Sequence, residues 1–258
     1  VTEDATQPFL YAIGTISITD ADQGEAAFQL GIISNAGALG TLILLPNGTY
    51  AYFVSDSAVQ YLVGTDTKVD TFTVTALDGT TKQVSFTIHG TNDVAVIGTP
   101  AVHDVTEDSS ATLSAVGSIS ISDADQGQAV FQTTVVSAAG NLGTLTLAAN
   151  GAYNYSVANS ATQYLGASDT KTDTFTIASV DGTTRQVTFT IHGVNDAAVI
   201  GTPTVQDVTA DTTKTTLTAT GSISVVDADQ GQSSFKTTVA SASGNIGQLS
   251  LAANGTYT

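Results

Sequence analysis

The string Asp-Ala-Asp-Gln-Gly occurs at 20–24, at 123–127 and again at 227–231, at spacings of 103 and 104 residues. A five-residue string recurring at one period makes the chain a tandem array, and that periodicity constrains the fold before any local propensity does. It divides the 258 residues into two complete units, 1–93 and 94–196, and an incomplete third, 197–258. The same string carries chemistry. Asp123 and Asp125 stand two apart before a glycine, so an extended turn points both carboxylates one way, towards a single hard cation. Calcium takes 6–8 oxygen ligands and is served by such loops. One copy alone would read better as a plain Asp-rich turn; three copies in register reverse that preference and carry the metal reading to Asp20, Asp22, Asp227 and Asp229.

Charge points the same way. The chain has 23 Asp and Glu against 6 Lys and Arg, for a net −17. Such a surface repels nucleic acid and anionic membranes and attracts divalent cations. The acids are also in register. Pairing the units matches Glu3 with Glu107, Asp66 with Asp169, Asp70 with Asp173, Asp78 with Asp181, Asp93 with Asp196 and Asp104 with Asp207. Asp4, Asp108 and Asp211 form a further set, and only Glu25 and Asp56 lack acidic counterparts, facing Gln128 and Asn159. Hydrophobic residues make up 41% of the chain, enough for a packed core in each unit of about a hundred residues. There is no Cys, so no disulfide is needed, and no apolar run reaches the roughly 18 residues of a spanning helix. The chain opens on Val1, already inside a repeat, which reads as an excerpt of something longer.

The local patterns are those of strands. Thr71–Ala76 and Val84–Ile88 alternate apolar residues with Thr or Ser around Asp78-Gly79, a hairpin restated in the second unit around Asp181-Gly182. Another hairpin turns at Asn150-Gly151. No convincing 3.6-residue period occurs, and at most Ser160–Leu165 forms one helical turn. Seven strands are expected per unit, in the second at 95–102, 113–122, 129–137, 143–147, 152–157, 172–180 and 186–193. The expected architecture is all-β: immunoglobulin-like seven-stranded antiparallel sandwiches stacked end to end. An odd strand number brings the chain in at one end of each unit and out at the other. It places Asp123, Asp125 and Asp181 at the leading end of the second unit. They face Asp66, Asp70 and Asn92-Asp93 at the trailing end of the first, and Glu107-Asp108 is expected near the same junction.

With these residues in view, the chain resembles cadherin-like domains. Glu107, the Asp123/Asp125 pair and Asn92-Asp93 look like their calcium-linker motifs, and the resemblance implies the equivalent ligands Glu3, Asn195 and Asp196. Gly48-Thr49-Tyr50, Asp70-Thr71-Phe72-Thr73-Val74, Leu77-Asp78-Gly79 and Gly90-Thr91-Asn92-Asp93 are similar to the VCBS-type repeat of large secreted bacterial adhesins, the RTX adhesins among them. The resemblance covers essentially the whole chain. It implies extracellular, calcium-stiffened extender repeats at a cell surface, with Ca2+ as cofactor and neighbouring repeats of the same chain as partners. Separately, the third unit stops before the counterparts of Phe175, Ile177, Phe189 and Ile191, and the strand edges this leaves unpaired are expected to take other copies by strand addition. Repeat three has Ala210 where the others have Glu, which the resemblance reads as a weaker ligand set at that junction. The glycine-rich nonapeptides of RTX β-rolls are absent.

Rival chemistries are poorly supported. His89 and His192 share one repeat position and only His103 remains, too few imidazoles for zinc. No G-x-S-x-G elbow is present, and acids repeated in every unit do not make one glycosidase pair. Tyr50, Tyr52, Tyr153 and Tyr155 alternate on one strand, as core residues do, rather than forming a sugar-stacking face. The expected function is therefore structural and not enzymatic, without insertion into a membrane. The alternatives are repeats that themselves hold a polysaccharide or a neighbouring copy, and an accessory array attached to a secreted hydrolase.

Overall fold

The computed structural model describes residues 1–3 and 6–258; Asp4, paired above with Asp108 and Asp211, lies outside the described residues. The elements are strands apart from two single 3-10 turns, Asp56–Ala58 and Asn159–Ala161.

In the first unit, β1 (Phe9–Thr15), β2 (Gly31–Ile33), β3 (Thr41–Leu44) and β4 (Thr49–Ser55) form one antiparallel sheet in the order β1-β4-β3-β2. The facing sheet is the hairpin of β5 (Thr67–Thr75) and β6 (Thr81–His89). An antiparallel bridge, Phe28 to Ala76, and a parallel one, Thr2 to His89, extend it. The second unit repeats this with nine elements: β7 (Val96–Ile97), β8 (Asp104–Thr106), β9 (Thr112–Ser118), β10 (Ile121–Ser122), β11 (Val136–Ser137), β12 (Thr144–Leu147), β13 (Ala152–Ala158), β14 (Thr170–Ala178) and β15 (Thr184–His192). One sheet runs β12-β13-β9 and the other β11-β14-β15-β8, with β7 paired to β10. This is the expected all-β, cadherin-like sandwich.

Two expectations are corrected. The strand expected at 95–102 shrinks to β7, which pairs antiparallel with β10, and an unexpected strand beyond it, β8, pairs parallel with β15. Beyond β7 the Gly98 N–H still donates to the Ser120 carbonyl at 2.8 Å, and the ladder then stops at Thr99 and Pro100, since proline has no N–H to donate. The unit is therefore not purely antiparallel. Both segments run the same way, so the chain still leaves each unit at the end opposite to where it came in. The strand expected at 129–137 is reduced to the Phe131–Ser179 bridge and the two residues of β11.

Each complete unit has its own apolar core, built from the inward residues of both sheets. Tyr155 stacks on Phe189 at 4.5 Å and Tyr52 on Phe86 at 4.4 Å. The strand tyrosines Tyr52, Tyr153 and Tyr155 are thus buried core, and Tyr50 is half-buried. In the third unit β16 (Val199–Ile200) pairs with β18 (Val225–Val226), and β17 (Gly221–Ser222) with β19 (Thr256–Tyr257). There Ile223, Val225 and Leu251 are half-buried and Leu249 is exposed.

Candidate metal sites at the junctions

The β-strand ends carry the acids to the unit boundaries. At the first boundary the chain leaves β6 through Gly90-Thr91-Asn92-Asp93, and the Asp93 N–H donates to Asp125 Oδ2 at 2.9 Å. The Gln126 N–H donates to the Tyr61 carbonyl at 3.1 Å, so the Asp-Ala-Asp-Gln-Gly turn of one unit is seated on the loop after β4 of the other. That turn is held locally by the Asp125 N–H donating to Asp123 Oδ1 at 2.9 Å. Glu3 is brought in from the far side: its Oε2 accepts the Thr91 N–H at 3.1 Å, and its carbonyl accepts the Thr91 hydroxyl. The Asn92 amide instead donates to the Asp93 carbonyl. Asp181 accepts the Ala95 N–H at 3.0 Å and lies close to Asp123 and Asp125.

The second boundary repeats this arrangement. The Asp196 N–H donates to Asp229 Oδ2 at 3.1 Å, the Gln230 N–H to the Tyr164 carbonyl at 2.9 Å, and the Asp229 N–H to Asp227 Oδ1 at 3.0 Å. The Asn195 amide donates to the Asp196 carbonyl. Here Glu107 takes the part Glu3 plays at the first boundary, accepting the Val194 N–H at 3.2 Å.

Glu107 and Asp108 are thus found at the second junction and not the first, because parallel pairing of β8 with β15 carries them to the trailing end of their own unit. Ala210, the register counterpart of Glu107, therefore does not bear on the second junction, which keeps its glutamate. Asp70 is also displaced from its expected place. It is 1% exposed inside the first unit, where it accepts the Leu39 and Gly40 N–H groups and the Tyr52 hydroxyl at 2.8 Å. Asp173 does the same for Leu142, Gly143 and Tyr155. These two are structural acids.

The electrostatics mark the junctions off. Among the described residues six buried side-chain N or O atoms lack a hydrogen-bond partner: Glu3 Oε1, Asp93 Oδ2, Asp123 Oδ2, Asp125 Oδ1, Asp196 Oδ2 and Asp229 Oδ1. All are carboxylate oxygens at the two boundaries. A buried acceptor left without a donor carries its full desolvation cost. Burial first, and neighbouring carboxylates with it, push Asp93, Asp123, Asp125 and Asp196 above the ordinary carboxylate range. Burial likewise raises Glu3 and Glu107, against backbone hydrogen bonds that lower them. Asp181 goes the other way: burial raises it, but the Ser179 and Thr183 hydroxyls and two N–H groups outweigh that and hold it low. An oxygen-only set with acids unpaired by any base is what a hard divalent cation satisfies.

At the leading end of the first unit Asp20 and Asp22 converge with Glu25. Among the described residues this is the one trio of such side chains that brings one ligand atom each within 4.8 Å of the others. Glu25, an acid without a counterpart in the register, is the ligand candidate that sequence reasoning passed over. His103 and His192 both approach Asp104 Oδ1, at 3.2 and 3.5 Å, on an exposed surface.

Residues 92–193 match the bacterial cadherin-like domain. The match begins at Asn92 and ends at Gly193, so it covers most of the second unit and about two fifths of the chain. Among solved structures, the chain is similar to a protocadherin gammaB7 EC3-6 cis-dimer structure at 14% identity and a TM-score of 0.49, covering 100% of this chain and 62% of that one. It is also similar to the protocadherin gammaB4 extracellular domain (13% identity, TM-score 0.46, 97% and 41% covered) and to a human desmocollin-1 ectodomain (13%, 0.34, 100% and 51%). The chain therefore spans less than two thirds of these cadherin chains. No curated protein matches it. The fold itself rests on the strand order and registers above.

Proposed function

We propose that these units are extracellular extender repeats of a secreted bacterial surface adhesin of the VCBS and RTX type, and that calcium sets the angle between successive units. The observation that supports it is the set of six orphaned carboxylate oxygens, confined to the two junctions. Glu3, Asn92, Asp93, Asp123 and Asp125 would hold the ion at the first junction, with Asp66 adding negative potential at Asp125. Glu107, Asn195, Asp196, Asp227 and Asp229 would hold it at the second. Asp20, Asp22 and Glu25 are the equivalent set at the leading end of unit one. A bound cation supplies charge neutralisation there. The protein's own part is to orient the ligands: the Asp93 and Asp196 N–H bonds and the Asx-type turns at Asp123 and Asp227 aim the free carboxylate oxygens into the boundary before any ion arrives. Among the described residues no helix is long and apolar enough to cross a membrane.

Titration calorimetry of the chain with calcium, then with EDTA, tests this. Saturable heat that EDTA reverses is expected. No heat, with no change in melting on chelation, would sink the reading.

A further inference from the structure

The outer face of the β1-β4-β3-β2 sheet differs from every equivalent surface in the array. In β1 the residues alternate, with Leu10 buried while Phe9, Tyr11 and Ile13 are 55%, 69% and 70% exposed. Tyr11 lies opposite Phe53 on β4, and Ile13 opposite Ala51. Ala51 lies in turn opposite Ile43 on β3, and Ile43 opposite Ile32 on β2, itself 77% exposed. The result is a continuous apolar surface across four strands, and none of those strands contains a charged residue. The second unit has the same backbone but another surface. In the register of the repeat, Phe9, Tyr11, Ile43 and Phe53 are replaced by Thr112, Ser114, Thr146 and Ser156, with Val116 in place of Ile13. The sheet is also narrower there. β2 widens the first unit's sheet by pairing with β3, whereas its counterpart segment β11 pairs with β14 on the opposite sheet.

Core packing does not require these residues, because the second unit packs its core without them. We infer that this face is a docking surface for the same face of a second copy of the chain. Charge decides the occupant. The chain carries −17 overall, concentrated at the unit ends, so a basic partner would be drawn there and not to a sheet whose strands carry no charge. A partner for this sheet has to be flat, apolar and uncharged, and a second copy presents such a surface. Two sheets pack face to face at about 10 Å with strands within roughly 30° of parallel, and a two-fold axis makes the contact self-complementary. Isoleucines in the middle of the face suit an apolar partner better than a sugar, whose hydroxyls need a ring of polar groups. Four strands of up to seven residues give a footprint of roughly 450 Å². A standard interface buries about 800 Å² per partner, so the contact is weak and reversible.

The test uses the whole chain in sedimentation velocity at concentrations up to about 1 mM, in calcium and again in EDTA. Concentration-dependent dimers are expected in both buffers, strengthening with salt as like charges are screened. The variant Tyr11→Ser, Ile43→Thr, Phe53→Ser carries the second unit's own residues. It should fold, keep its calcium heat and dissociate at least about tenfold more readily, whereas Val116→Thr on the second unit should change nothing. A chain that stays monomeric throughout, or a folded triple variant that associates as the parent does, overturns the inference; the latter result would point to pairing along strand edges. A soluble polysaccharide that binds the parent monomer at this face and not the triple variant would overturn it as well. Calcium heat without dimers, or dimers without calcium heat, separates the two readings.

Discussion

The Asp93 N–H donates to Asp125 Oδ2 at 2.9 Å across a unit boundary, and the Asp196 N–H makes the same bond to Asp229 at 3.1 Å across the next. Each bond uses one oxygen of the acceptor carboxylate and leaves the other, Asp125 Oδ1 or Asp229 Oδ1, buried without a donor. The backbone thus fixes the carboxylate while the free oxygen stays available for an ion.

Asp125→Ala should therefore remove calcium binding at the first junction and leave the second intact, and Asp229→Ala should do the reverse. Calorimetric stoichiometry reads this directly: each variant loses one junction's share of the sites. Loss of all calcium heat in either variant would mean that the sites do not act separately.

The two junctions should also differ in strength. Glu3 Oε1 is buried without a partner, whereas Glu107 Oε1 already accepts the Gln163 amide at 3.0 Å. Gln60, the counterpart of Gln163, bonds Asp56 instead. Glu3→Ala should weaken calcium binding at its junction by about tenfold or more, a larger loss than Glu107→Ala causes at the second. Equal losses would contradict the assignment of Glu3 as the freer ligand.

Asp173 tests the separation between structural and junction acids. It is fully buried and accepts the Leu142 and Gly143 N–H groups and the Tyr155 hydroxyl, whose own titration is pushed well above its ordinary range by burial and by that bond. Asp173→Ala leaves those buried donors unpaired and should cost about 3–5 kcal/mol, while Tyr155→Phe should cost about 1–2 kcal/mol. Thermal melts of the two variants should show these losses with and without calcium. A loss that calcium fully restores would place Asp173 among the metal ligands.

Backbone geometry gives a further pair of outcomes. Gly151 and Gly182 both have positive φ, at 85° and 92°. A Cβ at Gly151 would run into the Ile119 carbonyl oxygen, whereas one at Gly182 meets nothing within 4 Å. Gly182→Ala should cost about 1 kcal/mol for the left-handed conformation alone. Gly151→Ala should cost clearly more, because the turn joining β12 to β13 must shift. Chemical denaturation of the two variants checks the order.

The sequence made the array legible because its strongest signals are local. Alternation of Thr with Phe, Val and Ile, together with Asp-Gly and Asn-Gly turns, is short-range information, and it located β12, β13, β14 and β15 to within about two residues and β5 and β6 to within about four. What it missed is long-range. The chain near Gly98 and Pro100 changes sheets, and whether β8 then pairs with β9 or β15 depends on partners some ninety residues away. That one pairing decides which junction receives Glu107. Asp70 and Asp173 read as further surface acids because a buried carboxylate is expected only with partners, and their partners come from the loop before β3 or β12 and from a core tyrosine. The change of sheet between β2 and β11 has no marker in either segment that we can identify.

The central claim is that calcium, seated on orphaned carboxylates, sets the geometry of the junctions while each complete unit keeps its own core. Small-angle scattering of the chain at a concentration low enough to keep it monomeric, with calcium and then with EDTA, tests that claim most directly. The account predicts a stiff, extended particle with calcium and a more compact, flexible ensemble after chelation, with the β-sheet circular dichroism unchanged. Asp123→Ala should loosen the first junction even in calcium. A scattering profile that does not respond to calcium or to EDTA would contradict it, and packing alone would then set the angle between units.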